Sequence, residues 1–191
     1  MFDFKSFYDR IARGLPYDCK IAEIGVADGI SALYLAERLN EIGKAFTLYM
    51  VDDLSYGKYI QLCKIYENII ASGLGSSIKV VPKDSIEASK DFNDGELDFV
   101  FLDSSHQYQE TFESIKAWYP KVKDEGIFSG HDFHLYDGVR SAVGELIPTH
   151  FKRTDIPDRE FDYEEVLHIE QTEKNYGLFW VRKQWYLSLN K

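Results

Sequence analysis

The chain has 191 residues, 45% of them hydrophobic and 28% charged, which suits one globular domain with a sizeable core. Its 32 acidic against 22 basic residues give a formal net charge of -10, which disfavours nucleic acid and anionic membrane surfaces as partners. Two cysteines, Cys19 and Cys63, are too few for a disulfide scaffold or a zinc cluster and fit a reduced, cytoplasmic setting. No uncharged apolar run approaches the ~18 residues of a membrane span, and the N-terminus, with polar and acidic residues inside its aromatic run, does not read as a signal peptide.

Residues 2–14 are expected to form an amphipathic helix through Phe4, Phe7, Tyr8 and Ile11, stopped by Gly14-Leu-Pro16. This N-terminal helical extension, residues 1–18, precedes the rest of a single domain over 1–191. A first strand is read over Lys20–Val26, then a helix over Ile30–Ile42. A second strand, Phe46–Val51, closes on Asp52-Asp53, and a helix follows over Tyr59–Ile70. The third strand, Ser77–Val81, leads to Asp84-Ser85 and a short helix to about Lys90. Leu97–Leu102, the most continuous apolar run, is a fourth strand closing on Asp103. Gln107–Val122 reads as a helix with Tyr108, Phe112, Ile115, Tyr119 and Val122 on one buried face, and Trp118 also in the core. A short fifth strand, Gly126–Ser129, closes on His131-Asp132, and a helix from Asp137 to Leu146 ends before Pro148. Residues 149–165 carry weak signals, and Val166–Ile169 and Tyr176–Val181 read as an antiparallel hairpin. Strands alternating with helices, each a continuous apolar run, define a doubly wound α/β sheet of seven strands, mostly parallel, with helices on both faces.

The polar residues gather where such a sheet places its ligands, beyond the carboxyl ends of the strands. Strand one ends in the turn Gly25-Val26-Ala-Asp-Gly29, whose glycines admit a ligand close to the backbone at the positive end of the next helix. Strands two to five end at Asp52-Asp53, Asp84-Ser85, Asp103-Ser-Ser-His106 and His131-Asp132. A dinucleotide fingerprint would need glycine at 25, 27 and 30, but Ala27 and Ile30 stand there, and no Walker loop occurs. A nucleoside without a pyrophosphate remains.

Glu23-Ile-Gly25-Val-Ala-Asp-Gly29-Ile-Ser31 resembles motif I of class I S-adenosylmethionine-dependent methyltransferases, Rossmann-like proteins, and in particular a small branch, methyltransferase family 24. Phe99-Val-Phe-Leu-Asp103-Ser-Ser-His106-Gln-Tyr108 resembles that branch's D-x-x-H-x-Y, and Gly126-Ile-Phe-Ser-Gly-His131-Asp132 its strand-five ending. The usual P-G-G turn before strand five is Asp124-Glu125-Gly126 here. The resemblance implies S-adenosylmethionine held by Gly25, Val26, Gly29 and Ser31, with Glu23 bracing the turn and the cofactor's amino end. It implies that Asp52 accepts the ribose hydroxyls, with Asp53 as the adjacent acid, and that Asp84 and Ser85 lie near adenine unless either caps the next helix. Asp103 faces both cofactor and chemistry. Asp103, His106, His131 and Asp132 are the catalytic candidates, with either histidine as general base. Asp103, Asp132 and His131 are alternatively ligands of Mg²⁺ or another divalent cation. His106 and His131 have structural readings beside these, in capping or packing; His150 and His168 are read as structural, while His134, Tyr136 and 149–165 are candidates for an acceptor pocket or lid.

The expected function is methylation of a small-molecule hydroxyl, on a sugar or natural product. The rivals are an NAD-linked oxidoreductase and a non-catalytic binder of the same cofactor. The aromatic N-terminal helix is expected to cover its own cofactor or a neighbouring subunit of a homo-oligomer.

Overall fold

The computed structural model describes residues 2–55, 57–151, 167–172, 174 and 176–182. Among them the apolar runs become β1 (Asp18–Ile24), β2 (Ala45–Val51), β3 (Ile78–Val81), β4 (Leu97–Leu102), β5 (Val122–Gly130), β6 (His168–Glu170) and β7 (Leu178–Arg182). The helices are α1 (Lys5–Gly14), α2 (Ile30–Glu41), α3 (Lys58–Ser72), α4 (Ser85–Ser89), α5 (Tyr108–Trp118) and α6 (Asp137–Phe151). One sheet runs β3-β2-β1-β4-β5-β7-β6, with β1 to β5 parallel and both β5–β7 and β6–β7 antiparallel. The doubly wound sheet and its antiparallel C-terminal hairpin are those the sequence implies.

Every residue of β4 is buried, and its side chains alternate between two cores. Phe99 and Phe101 join α1 and α2 residues such as Tyr8 and Leu35 on one face. Val100 and Leu102 join Ile115, Trp118 and Val143 from α5 and α6 on the other. Burying each such side chain stabilises by roughly 1.5–3 kcal/mol, so the central strand is fixed from both sides. Asp98, buried in the same strand, accepts from the Lys20 backbone N–H at 2.8 Å and from Lys123 Nζ at 2.8 Å, the compensation a buried charge requires.

Several boundaries differ from the sequence reading. α5 ends at Trp118 because Tyr119-Pro120-Lys121 tightens into a 3-10 turn, so Val122 opens β5 instead of closing a helix face. Tyr108 is not core. At the start of α5 it is 37% exposed, and its hydroxyl donates to Glu145 at 2.6 Å. α6 runs past Pro148 to Phe151; the proline sits in the last turn, where the N–H it lacks costs a single bond to the Gly144 carbonyl. Glu125 takes φ +64 at the register shift within β5, ahead of its buried part, a left-handed conformation a glycine would adopt more readily. Residues 152–166, which hold most of the expected pocket or lid segment and the start of the first hairpin strand, lie outside the described residues.

The N-terminal helix is committed to its own chain: Phe4, Phe7 and Tyr8 are at most 3% exposed, with Phe4 and Tyr8 rings 4.8 and 5.1 Å from Phe101. Both cysteines are free thiols, Cys19 buried and Cys63 exposed. Among the described residues no helix is long and apolar enough to cross a membrane.

Candidate active site

Winding reverses between β1 and β4, and there the loop after each strand opens. Gly25 follows β1 at φ +84 and packs against the backbone that follows β4. A methyl group on Gly25 would stand 2.6 Å from the Ser104 Cα. Gly25→Ala therefore combines a left-handed backbone with a clash. Denaturant titration should show a loss of at least about 2 kcal/mol. The turn then passes Ala27 at φ +48 to Gly29 at φ +82, the N-cap of α2.

Beneath the turn lies Glu23, 2% exposed. Tyr8 donates to its Oε2 at 2.7 Å and Ser31 donates to its Oε1. Burial outweighs these two bonds and pushes the carboxyl from 4.5 up to about 7. Tyr8, whose hydroxyl burial and Glu23 also hold well above its usual range, arrives from α1 and was not among the residues the motifs single out.

Asp52 braces the turn from the side. Its Oδ2 accepts the Val26 and Ala27 N–H groups at 3.0 and 3.1 Å, and its Oδ1 accepts Leu54 N–H and Gln61 Nε2 at 2.8 and 3.0 Å. Four donors fill the four acceptor sites of a carboxylate. Asp53, exposed, accepts only the Ser55 N–H at 2.9 Å among the described residues. Gln61 also donates to the Ala27 carbonyl at 2.9 Å, and its buried Oε1 has no hydrogen-bond partner among the described residues. Asp84 caps α4 through the Ile86 and Glu87 N–H groups, and the Ser85 hydroxyl lies 3.0 Å from both Ser114 Oγ and Trp118 Nε1. Capping and packing account for this pair.

Beyond β4 and β5 the acids and histidines converge. His131, 8% exposed, places Nδ1 3.2 Å from Asp132 Oδ1 and 3.7 Å from Asp103 Oδ1. Its Nε2 lies 3.0 Å from Asp3 Oδ1. Burial opposes the imidazolium, yet Asp103 and Asp132 outweigh it and push His131 up to about 10. Burial raises the Asp103 carboxyl, with His131 only partly offsetting it. For Asp132 burial is overcome by His106 and His131, which bring the carboxyl down to about 2. Asp132 sits at φ +63, and its second oxygen, Oδ2, meets His106 Nε2 at 2.7 Å. His106 is a third exposed and stacks on Tyr136 with centroids 4.0 Å apart; the Asp132 contact raises its pKa.

Atoms of Asp103, His131 and Asp132 lie within 4.8 Å of one another, and a cavity of about 10 Å³ lined by Asp103, His106 and His131 adjoins them. That is room for one water or a bare ion. Three carboxylates, Asp3 included, face two imidazoles; even with both rings protonated one negative charge remains. Two carboxylates and an imidazole form a donor set that suits a divalent cation with mixed oxygen and nitrogen preferences. The donor set, charge and cavity fit such an ion.

The backbone N–H of His134 bonds to the Tyr176 carbonyl at 2.8 Å and its ring lies against Gly177, while Tyr136 joins the site through its stack on His106. His168, exposed, stacks on Trp180 at 3.8 Å. No motif marks Asp3; the one hint in the sequence is an acid flanked by Phe2 and Phe4 just ahead of α1.

This sheet order with a ligand turn after β1 is that of the Rossmann-like methyltransferases, and the chain is of the S-adenosylmethionine-dependent class. It belongs to the methyltransferase domain family, methyltransferase family 24, whose model matches residues 22–133. Among curated proteins none matches the sequence. Solved structures with the same fold include a Corynebacterium glutamicum protein, 13% identical with TM-score 0.70, over 96% of this chain and 82% of that one. An rRNA methylase from Streptococcus thermophilus is 12% identical, with TM-score 0.67, over 97% and 98% of the two chains. A Streptococcus mutans protein in complex with SAH is 12% identical, with TM-score 0.68, over 96% and 98%.

Proposed function

We propose that the chain transfers a methyl group from S-adenosylmethionine to a hydroxyl of a small molecule, such as a sugar or natural product. The observation that carries this reading is the convergence of Asp103, His106, His131 and Asp132 beside the glycine turn. A protein that only bound the cofactor would need nothing beyond the first three strand ends.

S-adenosylmethionine supplies an electrophilic methyl on a sulfonium, so the protein has to align the acceptor and remove its proton. Gly25, Val26 and Gly29 present the turn, and Ser31 with Tyr8 holds Glu23 where an amino group can neutralise a costly buried carboxylate. Asp52 has both oxygens taken, one by the turn and the other by Leu54 and Gln61, so Asp53, with acceptor capacity left, is our choice for the ribose hydroxyls. The unpartnered Gln61 Oε1 beside Ala27 offers a further acceptor. Asp84 and Ser85 contribute by fixing α4 near the adenine end.

His106 is the base we favour. Without a cation His131, boxed in by carboxylates, holds its proton at neutral pH, and with one its Nδ1 is spent on the ion, whereas His106 is partly exposed. Asp132 orients His106 through Nε2, leaving Nδ1 to take the acceptor's proton. Asp103, Asp132 and His131 would hold a divalent cation, Mg²⁺ or a softer ion such as Mn²⁺, which would lower the acceptor hydroxyl's pKa. Free thiols suit a cytoplasmic setting, and the net charge of -10 favours a small acceptor over RNA.

Calorimetry with S-adenosylmethionine, S-adenosylhomocysteine and NAD, each with and without Mg²⁺ or Mn²⁺, tests the cofactor. We expect the first two to bind and NAD not to. NAD binding alone would sink the proposal. Methyl-tritiated cofactor offered to phenols, sugars and total RNA then reads the acceptor, and label in the RNA fraction alone would replace the small-molecule reading with a nucleic-acid one.

A further inference from the structure

His131 stands between two groups of acids, and only one of them belongs to the strand ends. The other is Asp3, from the segment ahead of α1 and 128 residues away in sequence. Asp3 is 4% exposed. One carboxylate oxygen meets His131 Nε2 at 3.0 Å and the other accepts the Lys174 N–H at 3.1 Å. Phe4 packs on the imidazole with ring centroids 4.8 Å apart and Tyr176 meets it edge-on at 5.8 Å, so aromatic rings crowd it. Burying a carboxylate among aromatic rings is costly, and an apolar side chain would fill the same space more cheaply.

We propose that Asp3 is a positioning residue of the active site: by holding Nε2–H of His131 it aims Nδ1 at the point where Asp103 and Asp132 converge. An imidazole has two nitrogens, and committing one to a carboxylate fixes both the ring's rotation and the atom presented at its other edge. Carboxylate support of this kind behind a metal-binding histidine is a general arrangement, and removing it commonly weakens metal affinity by about 10–100-fold. The N-terminal segment is thereby a part of the site and not merely its cover. The proposal rests on the cation reading only for its effect on ion affinity; the Asp3–His131 arrangement stands on its own geometry.

Two measurements on the full chain test it. In wild type, nitrogen-resolved NMR of His131 should show a slowly exchanging proton on Nε2 with cross-relaxation to Phe4 protons. In Asp3→Asn, which keeps the shape and an acceptor for Lys174 but loses the charge, that proton should exchange faster and the Nε2 shift should move. Mn²⁺ binding followed by electron paramagnetic resonance should weaken by about 10–100-fold in Asp3→Asn, measured well below its melting temperature, with S-adenosylhomocysteine affinity retained. A purely anchoring Asp3 would lower the melting temperature yet leave both the His131 signals and Mn²⁺ affinity as in wild type, which overturns the proposal. A wild type without an Nε2-bound proton overturns it as well, whether or not the variant folds. A wild type that binds no Mn²⁺ but shows the Asp3-dependent His131 signals removes the cation reading and supports the positioning role.

Discussion

Asp132→Asn is expected to slow methyl transfer by about 10²–10⁴-fold, the range a general base contributes, while S-adenosylmethionine still binds. Asparagine is the informative replacement because it tolerates the φ of +63 that Asp132 adopts, so the backbone is spared. What it removes is the charge between His106 and His131. The Asp132 contact is the main cause of the raised His106 pKa, so without it His106 should titrate at lower pH, and the acid limb of the rate profile should move down with it. Stability carries a second signature. The folded Asp132 carboxyl lies at about 2, below its ordinary 3.8. Its contribution is therefore present above pH 3.8 and lost as pH falls through about 2; the shift corresponds to at most about 2.5 kcal/mol. Wild type should show this acid-linked loss and Asp132→Asn should lack it. Unchanged turnover together with an unmoved His106 titration would end the assignment of His106 as base.

The strand ends were legible because each apolar run stops at a polar residue, and a parallel sheet puts those stops on one edge. Asp103, His106, His131 and Asp132 are thus legible as neighbours from the sequence alone. The roles of Asp52, Asp84 and Ser85 were less legible, since a carboxylate that caps a turn and one that binds ribose look alike in sequence. What bears on the choice at Asp52 is its four donors, which only the folded chain brings together. Asp3 and Tyr8 were invisible as site residues for another reason. Helical spacing shows which face of α1 is buried but not where the helix docks, and their partners are distant in sequence, Glu23 on β1 and His131 just past β5. Tyr108 shows the limit from the other side: it fits the apolar stripe by spacing, yet a polar tip and a position at the helix start left it half outside.

Glu23→Gln should make the protein more stable at pH 8 and worse at holding its cofactor. Folding raises the Glu23 carboxyl from 4.5 to about 7, so the native state holds this proton more tightly than the unfolded chain. The stability it confers is complete below pH 4.5 and lost as pH rises through about 7. By pH 8 the full shift is worth about 3 kcal/mol. Glutamine cannot ionise and escapes that loss, and both its neighbours, Tyr8 and Ser31, are hydroxyls that can accept as well as donate. Some rearrangement cost remains, because the amide nitrogen must take the place of an acceptor, so a gain of about 1–2 kcal/mol is the expected outcome. The variant should melt below wild type near pH 4.5, by the rearrangement cost alone, and above it by pH 8, the two curves crossing as pH rises towards 7. Calorimetry should meanwhile show S-adenosylmethionine binding weakened about tenfold or more, the cost of losing a charged partner for its amino group. Tyr8→Phe separates the two effects: it strips one donor from Glu23, destabilises the fold, and leaves the carboxylate's charge in place. If Glu23→Gln melted lower than wild type at pH 8 while binding the cofactor equally well, Glu23 would be a strut of the turn and the amino end of the cofactor would have to lie elsewhere.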